Sequence, residues 1–406
     1  MTVTARSTTR RILMLAPEPV LQPRGTPISV FHRLRALSAL GYSIDLVTYP
    51  LGEPINIPNV RVLRVWRPWG LRRIKIGPSL AKIILDLFVA LTTLGCLCRR
   101  RYVAIHSHEE AVFIAAGLAG LFQLPHLYDM HSSLPQQLSN WHKWYAAPLT
   151  KVATLMERWA IRRSDVLITI CPALTEQVKA VAPTKPQVTI ENAATFSGAV
   201  SAEQVAAVRA QYGVGDAPLI VYTGNFEPYQ GVDLLLESFT MLHPLVPNAR
   251  LLIVGGTERD IAKARQWTET KHMHTTVIFA GTVAPEAVAK YLAAADVLVS
   301  PRRSGTNTPL KLYAYLKASK PIVATDLPTH TQVLTPEVAV LTKMDPQAFS
   351  HGLLTVLTNP ALATRLGQRA RLLAEEQFND ASYTSRVAHA YNLLLSEAET
   401  CAALAA

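Results

Sequence analysis

The feature that most constrains this chain is a rhythm: short apolar runs alternate with stretches of helical spacing from end to end. Alternation of this kind predicts parallel, doubly wound α/β sheets, in which a helix must return the chain after each strand. Strands are expected in the first half at Ile12–Leu15, Ile44–Val47, Val60–Val65, Val103–Ile105, His126–Tyr128, Val166–Thr169 and Val188–Ile190. A helix is expected over Ser29–Leu40, where apolar residues recur near helical spacing and Gly41 ends the run. The rhythm breaks once, after Glu191-Asn192, and Ala193–Gln204 reads as a small, polar linker. It restarts with strands at Leu219–Tyr222, Arg250–Val254, Thr276–Phe279, Val297–Ser300, Pro321–Ala324 and Ala339–Leu341. Helices are expected between them at Val232–Leu242, Pro285–Ala294 and Leu310–Ala318, and along the tail from Pro360 to Glu397.

One break in 406 residues, of which 49% are hydrophobic and 17% charged, predicts two Rossmann-like domains, residues 1–195 and 210–380, facing a cleft. Ligands of open α/β sheets bind beyond the carboxyl ends of the strands, so those ends are where chemistry is sought. The four cysteines show neither metal-ligand nor disulfide spacing and suit a reducing compartment. Ile12–Ala16 is too short for the apolar core of a signal peptide. The run Ile83–Cys98 contains Asp86 and reads as falling short of a membrane span. A cytoplasmic protein is therefore expected.

The net charge of +11 is unevenly placed. Between Arg61 and Arg101 lie ten basic residues and one acidic, Asp86. Trp66 and Trp69 are interleaved with Arg67, Arg72, Arg73 and Lys75. Basic, aromatic and apolar residues in one segment point to peripheral contact with an anionic membrane surface. A solvated basic face over a buried helix is the plain alternative, and no nucleic-acid partner is expected.

Four segments at strand ends carry candidate chemistry. The strongest runs from Ser300 to Lys311. Its Gly305 would let backbone N–H groups approach a ligand, flanked by Thr306 and Asn307. Thr308 is expected to cap the next helix and Pro309 to sit in its first turn. A helix N-terminus favours an anion, and Lys311 with Arg302 or Arg303 would add charge-assisted bonds to phosphate. The second segment, Tyr222–Asp233, offers Gly224 for close approach, with Asn225 and Gln230 as neutral hydrogen-bonders. The third, Tyr128-Asp129-Met130-His131-Ser132-Ser133, puts His131 just past a strand, with His108-Glu109 at the end of the preceding one. The fourth, Gln22–Pro27, offers backbone N–H groups at Gly25. The sequence shows no metal cluster, nucleophile elbow, Walker loop or complete dinucleotide fingerprint.

In this order the segments resemble family 4 of the retaining glycosyltransferases, which have the GT-B fold. The similarity covers nearly the whole chain. Gly25 falls in the family's first loop, His131 on its histidine, and Gly224–Gly231 at the start of its donor domain. Ser304–Thr325, ending Lys320-Pro321-Ile322-Val323-Ala324-Thr325, matches its donor loop and helix. The resemblance implies a nucleotide-diphosphate-sugar donor on the C-terminal domain and a glycan or lipid-linked acceptor on the N-terminal one. It implies no cofactor and no obligatory metal. It implies that His131 binds the donor sugar and supports its cationic transition state, and that a helix over about residues 380–400 packs back on the first domain.

Two departures stand out. The family's two glutamates, eight positions apart, fall at Thr306 and Ala314, and its arginine–lysine phosphate clamp falls at Asn225 and Gln230. The expectation is that Lys311, Arg302 or Arg303, and the backbone around Gly305 hold the phosphates instead. A sugar-nucleotide epimerase and a non-catalytic scaffold are the competing functions. Ala314 is the residue that speaks for the scaffold.

Overall fold

The computed structural model describes residues 10–20, 25–69, 71, 74, 79–139, 146–191 and 200–405. They form two compact units, Met1–Glu191 with Asp380–Ala406, and Asn192–Asn379.

The first unit carries strands β1 (Arg11–Ala16), β2 (Ser43–Thr48), β3 (Val60–Arg64), β4 (Ala104–His108), β5 (His126–Met130), β6 (Val166–Thr169) and β7 (Gln187–Thr189). Its helices are α1 (Gly25–Ala39), α2 (Leu80–Arg99), α3 (Val112–Phe122), α4 (Leu134–Ser139), α5 (Ala146–Arg163) and α6 (Pro172–Val181). The sheet order is β3-β2-β1-β4-β5-β6-β7, parallel throughout.

The second unit carries β8 (Leu219–Thr223), β9 (Arg250–Val254), β10 (Val277–Gly281), β11 (Val297–Ser300), β12 (Ile322–Thr325) and β13 (Val340–Thr342). Its helices are α7 (Ala202–Gln211), α8 (Val232–Leu242), α9 (Glu258–Thr270), α10 (Val288–Ala294), α11 (Lys311–Lys317), α12 (Pro328–Thr331), α13 (Pro346–Thr358) and α14 (Pro360–Gln377). Its sheet, also parallel throughout, runs β10-β9-β8-β11-β12-β13. The last helix, α15 (Asp380–Ala405), lies in the first unit against α1, β6 and β7.

In both sheets the chain moves outward on one side of the first strand and then crosses to the other side. This makes a switch point between β1 and β4, and another between β8 and β11. Alternate residues of the second unit's strands feed two separate cores. Leu219, Val221, Leu252 and Leu298 enter one, while Ile220, Tyr222, Leu251 and Val299 enter the other. A sheet apolar on both faces needs helices on both, which is why the strands read as unbroken apolar runs.

Thirteen strands were expected and thirteen form, each within a few residues of its sequence reading. The differences are local. Helix α1 starts at Gly25 rather than Ser29, because Pro27 is tolerated in a first turn that needs no N–H from it. The stretch read as linker through Gln204 already contains α7. Ser201 accepts from the Gln204 N–H, and the Gln204 side chain accepts from the Ser201 N–H, forming a capping box.

Helix α2 is a larger correction. Ala81–Arg99 is long and apolar enough to cross a membrane by length and composition, and only 22% of that stretch is buried. Asp86 does not interrupt it, because Tyr49 donates to Asp86 Oδ1 at 2.6 Å and draws the carboxyl toward the sheet. Leu85, Val89 and Leu97 pack on the sheet, while Ile83, Ile84, Leu87, Leu91 and Leu94 are exposed.

The two faces of α2 should differ sharply in mutagenesis. Leu85→Ala should cost about 2–5 kcal/mol through the cavity it leaves. Leu87→Ser, on the open face, should change stability by less than about 0.5 kcal/mol. Thermal unfolding of the two variants checks this; equal losses would mean that both faces are packed.

Candidate active site

At the β8–β11 switch point the chain turns out of β8 at Gly224, whose φ is 147°, and its N–H donates to Val254 O at 3.0 Å. A Cβ at Gly224 would lie 2.8 Å from the Tyr222 hydroxyl and 3.6 Å from Lys311 Nζ. Lys311, first residue of α11, places its ammonium 4.0 Å over the Tyr222 ring and donates to Gln230 Oε1 at 3.4 Å. Beyond β11, Arg302 donates to Asn307 O at 2.9 Å and to Thr329 Oγ1 at 2.7 Å, with its guanidinium over the Tyr229 ring. This fixes the turn at Gly305, whose φ is 128° and where a Cβ would lie 2.9 Å from Arg302 Nη1. Burial first, and then the Arg302 cation, hold Lys311 well below its ordinary value. Burial also lowers Arg302. Among the described residues neither cation has a carboxylate partner.

The first unit concentrates its polar groups at the ends of β4 and β5. The registers pair His106 with Leu127 and His108 with Asp129, and residues two apart on one strand share a face. Asp129 is fully buried and accepts from Arg33 Nε of α1 at 2.8 Å. Around that carboxylate stand His106 Nε2 at 3.4 Å, His108 Nδ1 at 3.6 Å and His131 Nε2 at 3.3 Å. His131 Nε2 also lies 3.0 Å from His108 Nδ1. The hydroxyl of Tyr391 on α15 shares a hydrogen bond with His106 Nδ1 at 2.7 Å. Burial, then Arg33 and His106, lower His131 to about 4 against the pull of Asp129, so its imidazole is neutral at neutral pH. Asp129 itself stays ionised, because Arg33 and the histidines outweigh its burial.

Glu109 follows β4 with a left-handed φ of 48°, uncommon away from glycine. Ser132 donates to both its carboxylate oxygens at 3.0 and 2.8 Å, and Thr26 of α1 reaches Oε1 at 3.5 Å. Burial, then Glu110, push this carboxyl up to about 8. Glu109, Glu110, Tyr128, Ser132 and Glu157 line a small pocket there.

Two family patterns match this architecture: Glycosyl transferase 4-like domain over residues 25–193, and Glycosyl transferases group 1 over residues 204–373. The chain belongs to the group 1, family-4-like glycosyltransferases. A phosphatidyl-myo-inositol mannosyltransferase of Mycobacterium tuberculosis (strain CDC 1551 / Oshkosh) is 29% identical over 153 residues, 36% of this chain. That match spans only 39% of the relative's own length. Sucrose-phosphate synthase from Thermosynechococcus elongatus superposes with a TM-score of 0.78 at 19% identity, over 96% of this chain and 100% of that one. Anabaena HepE in complex with UDP and glucose gives 0.72 at 16%, over 94% and 99%. At these identities the likeness speaks for the fold, which is GT-B.

In this chain Gly224, Gln230 and Lys311 converge, and Arg302, Gly305 and Asn307 form a second knot beside them. Asn225 turns inward to its own loop, its carbonyl accepting from Tyr222 and its Oδ1 from the Glu227 N–H. The carbonyl of Thr306 accepts from Gln332 at 2.6 Å. Arg303 points away, pairing with Asp233 at 2.8 Å. Thr308 does not cap α11 as expected. The cap is Leu310, without a side-chain hydrogen bond, because Pro309 O already accepts from Leu312 and starts the turn two residues later. The Thr308 hydroxyl is buried with no partner among the described residues. Gly25 opens α1 rather than sitting in a loop, and a Cβ there would meet nothing within 4 Å.

In the basic segment Trp66 and Trp69 are exposed, Trp66 lying 5.3 Å from the ring of Phe88. Arg67 donates to Leu71 O at 2.9 Å. Arg72, Arg73 and Lys75 lie outside the described residues. Part of the basic charge is cancelled in the fold, because Asp45 takes Arg61 and Arg100 while Glu110 takes Lys82.

Sequence reasoning gave no role to Arg33, His106, Asp129 or Tyr391. The signal was the period-two placement of polar residues, His-x-His and Asp-x-His, in strands that are otherwise apolar. The ligand atoms of His106, His108 and Asp129 lie within 4.8 Å of one another, close enough for one cation. Arg33 already neutralises Asp129 at that point, and a second cation would have to sit against its guanidinium.

These shifts set a pH profile of stability. His32, His126, His131 and His330 are lowered from 6.5 to about 4, 3, 4 and 3. Between pH 6.5 and 4 the unfolded chain binds protons that the fold refuses, so acidification lowers stability. Glu109 and Asp86, raised to about 8 and about 6, act in the opposite sense: their contribution is fully present at low pH and lost as pH rises through those values. The histidines outnumber them on the acid side, and above pH 6.5 Glu109 remains. The melting midpoint should therefore peak near about pH 6.5. A midpoint that climbs steadily down to pH 5 would contradict these assignments.

Proposed function

We propose that the protein transfers a hexosyl-type unit, with retention, from a nucleotide-diphosphate sugar to a lipid-linked acceptor at an anionic membrane surface. One observation carries the donor half of this reading. Lys311 and Arg302 are two half-buried cations, without acidic partners among the described residues, beside left-handed glycines at a switch point. The two cations disfavour one another's charge, and a diphosphate compensates both through charge-assisted hydrogen bonds. Lys311 reaches Gln230, one of the two positions where the family's clamp charge is replaced. In this reading the leaving diphosphate is met by these side chains rather than by a metal. His131, neutral and beside ionised Asp129, supports the positive charge that develops on the sugar.

The membrane half rests on a surface that sequence reasoning saw only in part. Helix α3 touches both α2 and α5, so the three form one layer over the first sheet. From that layer Leu87 and Leu91 of α2, Leu121 of α3, and Val152, Leu155 and Trp159 of α5 stand exposed. Arg99 at the end of α2, Arg101 just beyond it, and Lys151, Arg158 and Arg162 along α5 are exposed around them. An apolar face rimmed by cations complements an anionic bilayer.

Calorimetry with a nucleoside diphosphate tests the donor site. Lys311→Ala should weaken binding by about 1.5–3 kcal/mol, as for a lost bond to a charged group. Arg303→Ala, whose partner is Asp233, should leave it nearly unchanged. If the wild type binds no nucleoside diphosphate, the scaffold function gains and the transferase reading fails.

Vesicle co-sedimentation tests the surface. The protein should bind anionic but not neutral vesicles at low salt, and added salt should release it as the screening length shrinks below about 10 Å. Leu87→Ser with Leu155→Ser should reduce the bound fraction severalfold. No binding at low salt would leave the acceptor soluble.

A further inference from the structure

Asp129 and Arg33 form a fully buried ion pair, the kind of pair that apolar residues often replace without loss of stability. Its position against His131 gives it a use. We propose that Arg33 and Asp129 are a positioning pair for His131: Asp129 favours the ring proton on the inward nitrogen, and Arg33 cancels the carboxylate so that the imidazole stays neutral. The inference rests on the transferase reading, which makes His131 the residue beside the reacting sugar.

The geometry gives the reason. His131 Nε2 and His108 Nδ1 are 3.0 Å apart, so one of the two carries a proton and the other accepts it. Asp129 Oδ1 lies 3.3 Å from the His131 nitrogen, whereas Oδ2 lies 3.6 Å from that of His108. Oδ2 already accepts from Arg33, so the oxygen left for a ring proton is the one that faces His131. The pair is itself held from three elements. Arg33 comes from α1 with its guanidinium 5.2 Å over the Tyr383 ring. His106 of β4 faces Asp129 Oδ2 at 3.4 Å while its other ring nitrogen is hydrogen-bonded with Tyr391. Tyr383 and Tyr391 both lie on α15, so the C-terminal helix takes part in setting the histidine.

Among the described residues the charged and titratable groups around His131 include Arg33 from α1, His106 and His108 from β4, Glu109 after β4, and Asp129 from β5. Tyr383 and Tyr391 from α15 act at one remove. With Arg33 as cation and Asp129 as anion, a proton added to the His108–His131 pair makes the cluster cationic. Without Arg33 the same proton makes it neutral, and protonation becomes easy.

The test follows the charge of His131 in two ways: its imidazole C–H resonance as a function of pH, and the acid limb of kcat/KM. In Arg33→Met both midpoints should rise by about one pH unit or more. In Arg33→Lys, which keeps the charge, both should stay at the wild-type value. Unmoved midpoints in Arg33→Met, or equal movement in both variants, overturn the proposal. Should Arg33→Met fail to fold, Arg33→Met with Asp129→Asn removes both charges and keeps the cluster neutral. That variant should lose about tenfold or more in kcat with donor KM within about twofold, because the proton is no longer held. Wild-type kcat would overturn the proposal. The titration needs no substrate. Absent sugar transfer by the wild type therefore removes the transferase reading, whereas an unmoved titration removes only the positioning pair.

Discussion

Both sheets are parallel throughout, and that constraint reaches every other feature of the molecule. A parallel sheet must be covered on both faces, so its strands have no solvent side on which to carry polar residues. Polar chemistry is pushed to the carboxyl ends, where the connections open and the switch points leave room. Gly224, Lys311 and Arg302 gather beyond β8 and β11 for this reason, and His131 stands one residue beyond β5. The strands β4 and β5 depart furthest from this, since His106, His108 and Asp129 sit inside them at no exposure, and Asp45 of β2 is a further case. Arg33 makes that tolerable by neutralising Asp129, while the histidines shed their protons rather than add charge.

The two units thus follow opposite electrostatic rules. The first closes its own account: one cation, one anion and neutral imidazoles. The second leaves Lys311 and Arg302 without an internal counter-charge. A self-compensated cluster is stable without ligand and holds its geometry, as the role proposed for His131 requires. A pair without an internal counter-charge favours an arriving anion, which is the role the proposed donor site gives it. The substitutions at Asn225 and Gln230 fit this division. They remove surplus positive charge from a loop that Lys311 already serves.

Most of the fold was legible because burial on both faces writes continuous apolar strands. The strand read at Val103–Ile105 shows where that signal fails. It runs on to His108, but His106, Ser107 and His108 look like a strand's end when only apolarity is followed. The same blindness hid the ion pair, since Arg33 is 96 residues from Asp129 and lies in an unremarkable amphipathic helix. The location of His131 and Lys311 was readable from strand ends. Their surroundings were not, because those come from α1, α11, α12 and α15 at long range. Thr308 was misread for a local reason: proline at 309 fits a helix start, and only the Leu312 hydrogen bond shows that the turn begins later.

The basic run from Arg61 to Arg101 looked like the whole of a membrane signal, yet the fold spends part of it internally. Asp45, fully buried, takes Arg61 in two hydrogen bonds and lies 3.4 Å from Arg11 and 3.8 Å from Arg100. Burial pushes that carboxylate up, but Arg61 and Tyr102 hold it low, so it remains an anion and cancels charge locally. What remains on the surface is a smaller cationic rim and a larger apolar face than sequence implied. Salt screens the first and not the second. Apolar contact through α2 and α5 then adds to the attachment proposed above, while the arginines and lysines decide whether an anionic surface is held at all. Helix α2 is suited to this because Asp86 is turned inward to Tyr49, leaving the outer face without a charge to desolvate.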